Sequence, residues 1–286
     1  MLRSAVWFLT FNCTNWCPYC WQRQRQKRGE FTPEPFKDYK LWVEAWNRLK
    51  PGVLDITGGE PFMQPNFVDM VSELEDVRVA ITTNLRHDIT DFVQRIRPSR
   101  VVSITASYHP SSDMSKDLFL GKCLLLKNRG FGVTVNFVTY PEQMFLAPIL
   151  AQEFKLFQLR FHVDPYADTG LAFKYTDKEK WFLSQITGSD RQNFVEEDKE
   201  NKPVLCNAGQ VHISVQPNGD AYRCINAKIN EDKEGIIEHK KLGNILDKDF
   251  KLLKAKARCD IANICAGCDR DKVDMEFLKQ GVTVNG

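Results

Sequence analysis

The sequence predicts an α/β fold: a parallel sheet with helices outside it, followed by a smaller C-terminal unit. Three observations lead there. Strand-like and helix-like runs alternate through residue 163, the composition turns polar over 188–205, and five of the nine cysteines lie beyond residue 205. The 286 residues, 43% of them apolar, are enough for one large domain, or for a large one with a small one.

The elements are read in order. Residues 5–11 form a strand-like run. Thr32-Pro33-Glu34 supplies an N-cap, a proline at the first helical position and an early acid, and opens a helix to about Leu49. Residues 53–57 make a second strand, 66–75 a helix, 77–83 a third strand and 101–106 a fourth. A helix over 114–128 stops at Gly130. A fifth strand over 132–139, a helix over 142–154 and a sixth strand over 159–163 complete the alternation. Repeated βα units imply a parallel sheet. Beyond the polar stretch, Val211–Val215 and Ala221–Cys224 flank Gln216-Pro217-Asn218-Gly219-Asp220. Asn-Gly between two strand-like runs is a hairpin signal. The expected organisation is a domain over 1–187, a linker over 188–205 and a second domain over 206–286.

A net charge of +2 calls for neither nucleic acid nor an anionic membrane as partner. No run of about 18 apolar residues signals a membrane helix. Met1-Leu2-Arg3-Ser4 leads straight into a strand-like run with no cleavable signal pattern. Nine cysteines without such a signal point to metal or redox chemistry in the cytoplasm rather than to disulfides.

Cys13, Cys17 and Cys20 follow the first strand with CxxxCxxC spacing. Three thiolates on one short loop can hold three irons of a 4Fe–4S cube and leave the fourth open. A structural zinc site normally takes four ligands, and the nearest histidine is His87. The loop Cys13-Thr14-Asn15-Trp16-Cys17-Pro18-Tyr19-Cys20 resembles the radical S-adenosylmethionine (SAM) signature, with an aromatic before the last cysteine. The resemblance implies a partial (β/α)6 TIM-like barrel with its active site at the C-terminal ends of the strands. It also implies a 4Fe–4S cluster on those cysteines, SAM on the open iron, and cleavage of SAM to a hydrogen-abstracting 5′-deoxyadenosyl radical. Tyr19 would pack near the adenine.

Gly58-Gly59-Glu60-Pro61 ends the second strand and resembles the family's GGEP segment. The resemblance implies that its backbone carbonyls and Glu60 hold the SAM amino group; a plain strand-to-helix turn is the alternative. Thr83 and Asn84 end the third strand as further SAM or substrate candidates. Ser103, Thr105 and Ser107 share one face by their spacing of two. With Asn136 they are candidates for SAM contacts, or satisfied polar groups of the core.

Cys206-Asn207-Ala208-Gly209, then Gly219 and Cys224, and finally Cys259, Cys265 and Cys268 resemble the SPASM/twitch auxiliary-cluster domains of radical SAM enzymes. Five cysteines suit the shorter twitch form, a β-hairpin plus helix. The resemblance implies one auxiliary 4Fe–4S cluster on Cys206, Cys224, Cys265 and Cys268. Cys259 would replace one of these, sit in the core or donate a hydrogen atom. A zinc ribbon on the same four is the alternative. Cys123, in an apolar run, reads as a buried thiol.

Arg160 and His162 share a face of the sixth strand, continued by Asp164. Arg160 suits a SAM or substrate contact, and His162 or His109 a base; for His109 a structural hydrogen bond in its loop is the favoured reading. The basic run Arg23–Arg28 is either a solvated face or a surface that meets an anionic substrate or an electron donor such as flavodoxin or ferredoxin. The expected reaction is oxidation or epimerisation of a small polar metabolite (a sugar, aminocyclitol or nucleotide), with the auxiliary cluster as electron relay. A first cluster cysteine at residue 13 argues against a leader-peptide-binding domain before the barrel. The rivals are a peptide-modifying maturase and a non-catalytic metal-binding scaffold.

Overall fold

The computed structural model describes residues 1–20, 22–23, 38–168, 171–172, 174–187, 204–225, 241–259 and 273–274. The chain opens with β1 (Ser4–Thr10), α1 (Tyr39–Leu49), β2 (Val53–Gly58), α2 (Phe67–Glu73) and β3 (Arg78–Thr83). It continues with α3 (Thr90–Arg95), β4 (Val101–Ser107), α4 (Lys116–Asn128), β5 (Val133–Val138), α5 (Ala147–Leu156) and β6 (Arg160–Asp164). After β6 come the small hairpin strands β7 (Ala167–Asp168) and β8 (Leu171–Ala172), then α6 (Asp177–Thr187). The C-terminal strands are β9 (Val204–Cys206), β10 (His212–Val215), β11 (Asp220–Tyr222), β12 (Gly243–Asn244), β13 (Ala257–Cys259) and β14 (Val273–Asp274).

The six strands of the βα alternation are all present and all parallel, in the order β1-β2-β3-β4-β5-β6. Alternation along them separates two faces. Trp7, Leu9, Leu54, Ile56, Val79, Ile81, Ile104, Ala106, Val135 and Val163 are 0–2% exposed and make the helix-facing side. Trp7 sits 4.7 Å from Trp42 and 5.5 Å from Trp46, both on α1, so β1 and α1 bury three indoles against each other. The opposite face is polar. The register aligns Val6, Asp55, Ala80 and Ser103 in one row. Thr82, Thr105, Thr134 and Arg160 make a second row, and Ser107, Asn136 and His162 a third. With the helices outside, this polar face is the lumen. The sheet ends at β6 on one side and β12 on the other, so the barrel is partial and open.

Three local readings change. The N-cap of α1 is Asp38, whose side chain accepts from the Lys40 N–H. Its ψ of 125° is extended, so α1 starts there; the expected start over residues 32–34 lies outside the described residues. α3 is a six-residue helix with Ile89 at its N-cap, too short to show a period in the sequence. The last helix of the alternation begins at Ala147, after a single 3-10 turn over Met144–Leu146.

The C-terminal hairpin forms where Asn218-Gly219 turns the chain, with Gly219 at φ 94°. It does not stand apart from the barrel. β10 pairs in parallel with β1, from Ser4↔His212 to Trp7↔Val215, and β11 and β12 extend the same sheet to nine strands. What separates from the barrel sheet is a three-stranded sheet, β13-β9-β14. The helix expected in this region is not among the described residues. Nor are residues 188–203, most of the expected linker. Among the described residues no helix is long and apolar enough to cross a membrane.

Candidate functional site

The C-terminal ends of β1, β2 and β3 converge on the loop that carries Cys13, Cys17 and Cys20. Two backbone bonds weld the β2 end to the stem of that loop. The Gly59 N–H donates to Thr10 O at 2.6 Å and the Glu60 N–H to Asn12 O at 2.8 Å. Only glycine permits this approach: a Cβ on Gly59 would lie 1.9 Å from Asn12 O, and one on Gly58 (φ +126°) 2.2 Å from Thr10 O.

Glu60 is fully buried. Its Oε1 accepts from the Phe62 N–H and the Thr83 hydroxyl, at 3.1 and 2.7 Å, and its Oε2 from the Asn84 N–H at 2.7 Å. Burial pushes its carboxyl up to about 7 against the opposing pull of these donors. The Glu60 carboxyl group thus braces the β2 and β3 ends against each other. Asn84 extends the brace, its Nδ2 lying 3.5 Å from Cys13 Sγ. The Asn15 N–H reaches the same sulfur at 3.4 Å. Pro61 is buried at the start of a 3-10 turn.

Cations hold the cysteine loop and the segment that follows β3. Arg86 Nη1 donates to Thr14 O and Asn15 Oδ1, at 2.7 and 3.1 Å. Arg23 Nη2 donates to Cys13 O and Asn15 O, at 2.8 and 3.1 Å. Lys122 Nζ gathers the carbonyls of Leu85 and His87, both at 2.7 Å. Arg86 and Lys122 carry no sequence signature; the only hint is the position of Arg86 two residues after Asn84. Arg23, the first residue of the basic run, is bonded to the cysteine loop, with its guanidinium carbon 3.6 Å from the ring centroid of the exposed Trp16; residues 24–28 lie outside the described residues.

Tyr19 is only 5% exposed. Its hydroxyl shares a 2.8 Å hydrogen bond with His109 Nδ1 and its ring packs 5.4 Å from Tyr140, so it anchors the loop to the β4 and β5 ends. Burial pushes His109 down to about 4. A neutral, engaged imidazole matches the structural reading of His109 and makes it a weak base. Burial also pushes Cys17 up to about 11 and raises Cys13. These thiols are protonated at neutral pH until a metal displaces the proton.

Along the lumen, Ser107, Asn136 and His162 occupy one register row. Asp164 ties two strands together: its Oδ2 accepts from Asn136 Nδ2 at 2.7 Å, and its Oδ1 lies 3.1 Å from His162 Nε2. Arg160 is exposed, one row below, and Ser103 lies deeper, beside Ala80.

The C-terminal cysteines gather elsewhere. Cys206 and Cys259 are buried together, with Cys224 packed against them. Cys259 lies on β13, opposite Val204 of β9, in a sheet separate from that of the barrel. Cys265 and Cys268 lie outside the described residues. Arg223 braces this pocket and carries no sequence signature. It is 8% exposed, and its guanidinium donates to the carbonyls of Ala208, Arg258, Ala257 and Cys206, at 3.0, 2.6, 2.9 and 3.3 Å. Among the described residues no carboxylate pairs with it. A buried cation bonded only to neutral carbonyls needs a nearby anion, and thiolates or a thiolate-ligated cluster would supply one.

Residues 7–144 match the model of the radical SAM superfamily. Among solved structures, SuiB of Streptococcus suis bound to S-adenosylmethionine aligns at TM-score 0.56 and 18% identity, over 87% of this chain and 64% of that one. SuiB bound to the precursor peptide SuiA aligns at TM-score 0.59 and 16% identity, over 87% and 63%. Native anSMEcpe with bound AdoMet and Cp18Cys peptide aligns at TM-score 0.54 and 13% identity, over 86% and 78%. This chain thus spans under two thirds of the SuiB chain, and at these identities the likeness is one of fold. No curated protein matches the sequence. The three-thiol loop at the head of a partial parallel barrel, and the family match that covers it, lead to one conclusion: residues 7–144 are a radical SAM domain.

Proposed function

We propose that the chain oxidises or epimerises a small polar metabolite such as a sugar, aminocyclitol or nucleotide, by radical SAM chemistry. One observation carries this reading: the rigidly braced three-thiol loop stands at the mouth of a lumen whose wall is polar. Cys13, Cys17 and Cys20 would hold a 4Fe–4S cluster. When bound, that cluster supplies the electron that splits SAM into methionine and a 5′-deoxyadenosyl radical. The chain's own residues do the rest. The brace of Glu60, Thr83 and Asn84 fixes the loop against the strand ends. Donors from Asn15 and Asn84 stabilise sulfur as thiolate. His162, oriented by Asp164, accepts the substrate proton. Arg160 offers a cation to the carboxylate of SAM.

The cysteine pocket around Arg223 suits an auxiliary 4Fe–4S cluster, with Cys259 beside Cys206 and Cys224 as a candidate ligand. The exposed Trp16 and the adjoining Arg23 suit the docking of an acidic one-electron donor such as flavodoxin or ferredoxin.

Anaerobic reconstitution tests the reading. The wild type is expected to hold about eight irons and to cleave SAM; the Cys13/Cys17/Cys20 triple alanine variant is expected to hold about four and to cleave none. A chain with about four irons, all lost in that variant, would remove the auxiliary cluster and leave epimerisation as the better reading. Arg223→Met is expected to lose the auxiliary irons while SAM cleavage persists; full iron retention would show that the buried cation is not needed there.

The peptide complexes of SuiB and anSMEcpe favour a second reading, a peptide substrate. The two readings separate by following deuterium into 5′-deoxyadenosine. Transfer from a labelled small-metabolite fraction supports the first, and transfer from the peptide fraction alone supports the second.

A further inference from the structure

The lumen wall carries more polar capacity than the protein uses. Thr82, Ser103, Thr105 and Thr134 occupy adjoining register positions on β3, β4 and β5. None is fully buried, and no hydrogen bond from their hydroxyls to a protein group is found among the described residues. Asp55 lies in the row Val6–Asp55–Ala80–Ser103. Its cross-strand neighbours in that row, Val6 and Ala80, carry no polar side-chain group. It forms no hydrogen bond and no ion pair with any described residue, and burial alone pushes its carboxyl up to about 6. The same row continues through Val6 to Ser214 of β10. Ser214 is 0% exposed, and its hydroxyl has no partner among the described residues.

A half-buried carboxylate with no donor, and a fully buried hydroxyl with none, are costly in a folded protein. Neither is needed by the brace at the barrel mouth or by the His162–Asp164 pair. The cost at Asp55 is relieved by a ligand that brings an N–H or O–H donor to its carboxylate.

We propose that Asp55 anchors the substrate, and that the substrate presents an amine or hydroxyl donor to it from the hydroxyl-lined wall of the lumen. This rests on the reading that the lumen is the substrate chamber. It deepens that reading by selecting amino- and polyhydroxy-compounds over acidic ones. A carboxylate or phosphate placed at Asp55 would meet like charge; an amine would meet opposite charge.

The test uses the reconstituted full chain with SAM, and glucosamine, myo-inositol and glucuronate as probes in titration calorimetry. The expected order is glucosamine tightest, inositol weaker and glucuronate weakest. Asp55→Asn is expected to weaken glucosamine at least about 10-fold and inositol less. Glucosamine affinity in the wild type is expected to fall as pH drops below about 6, where the carboxyl takes up its proton, and to be flat there in Asp55→Asn. Equal glucosamine affinity in the two proteins, preferred binding of glucuronate, or no binding of any probe to the wild type would each overturn the proposal. Asn preserves shape and removes a poorly solvated charge. The folded-state carboxyl is raised above its unfolded value, so ionisation costs stability increasingly from about pH 4 to pH 6, and fully above that. The variant should therefore unfold no more easily than wild type at pH 8, which separates lost anchoring from lost folding. Failure of the radical reading itself would show differently, as absent SAM cleavage in the wild type whatever the probes do.

Discussion

Cys17→Ala is expected to bring SAM cleavage to background and to remove about four irons from the reconstituted chain. Cys17 is buried within a loop whose other thiols, Cys13 and Cys20, cannot take its place. Cys123, the remaining cysteine of the barrel, is fully buried on α4 in the helix layer. The C-terminal cysteines Cys206, Cys224 and Cys259 form a separate cluster around β9 and β13. Irons held there should be retained, so the loss is confined to one cluster. Iron and sulfide assays with chromatographic detection of 5′-deoxyadenosine give the answer, and SAM cleavage at the normal rate would sink the site assignment. The same thiols set a pH dependence. Because burial holds Cys17 near 11 and raises Cys13, their thiolates are scarce at neutral pH in the free protein. Iron uptake releases those protons, so reconstitution should speed up from about pH 7 to about pH 9.

Gly59→Ala is expected to be nearly as damaging without touching a ligand. The added Cβ would lie 1.9 Å from Asn12 O and 2.5 Å from Asn12 C, so backbone must move on one side or the other. Either movement breaks the 2.6 Å bond from Gly59 to Thr10 or the 2.8 Å bond from Glu60 to Asn12. Residue 12 immediately precedes Cys13, so the strain falls on the cysteine loop and on the buried Glu60 brace. Overpacking of this kind costs about 1–3 kcal/mol or more. A lower melting temperature and a chain that takes up fewer irons at the N-terminal site are the expected results. Gly121→Ala is the control, since a Cβ there meets nothing within 4 Å; it should be neutral. A fully loaded, active Gly59→Ala protein would show that this contact yields more easily than its geometry implies.

Local chemistry and period were enough for some features of this protein. Alternation such as Leu54-Asp55-Ile56 marks a strand with one apolar face. Asn218-Gly219 marks a turn because few other pairs tolerate it. Three cysteines at fixed spacing mark a ligand loop because a metal cluster demands that reach. The start of α1 was not legible in the same way. Thr32 and Asp38 are both good caps, and local preference alone does not choose between them. Whatever depends on distant partners waited for the folded chain. β10 lies against β1, with Ser4 opposite His212, because folding leaves a sheet edge open there, and no local period reports such an edge. Glu60 became a brace because folding brought Thr83 and Asn84 to it. Arg223 and Asp55 stand out only once the structure shows what each lacks: a carboxylate near one and a donor near the other. Charge and hydrogen-bonding capacity are properties of a residue, but whether they are satisfied is a property of its neighbours, and neighbours are assigned by the fold.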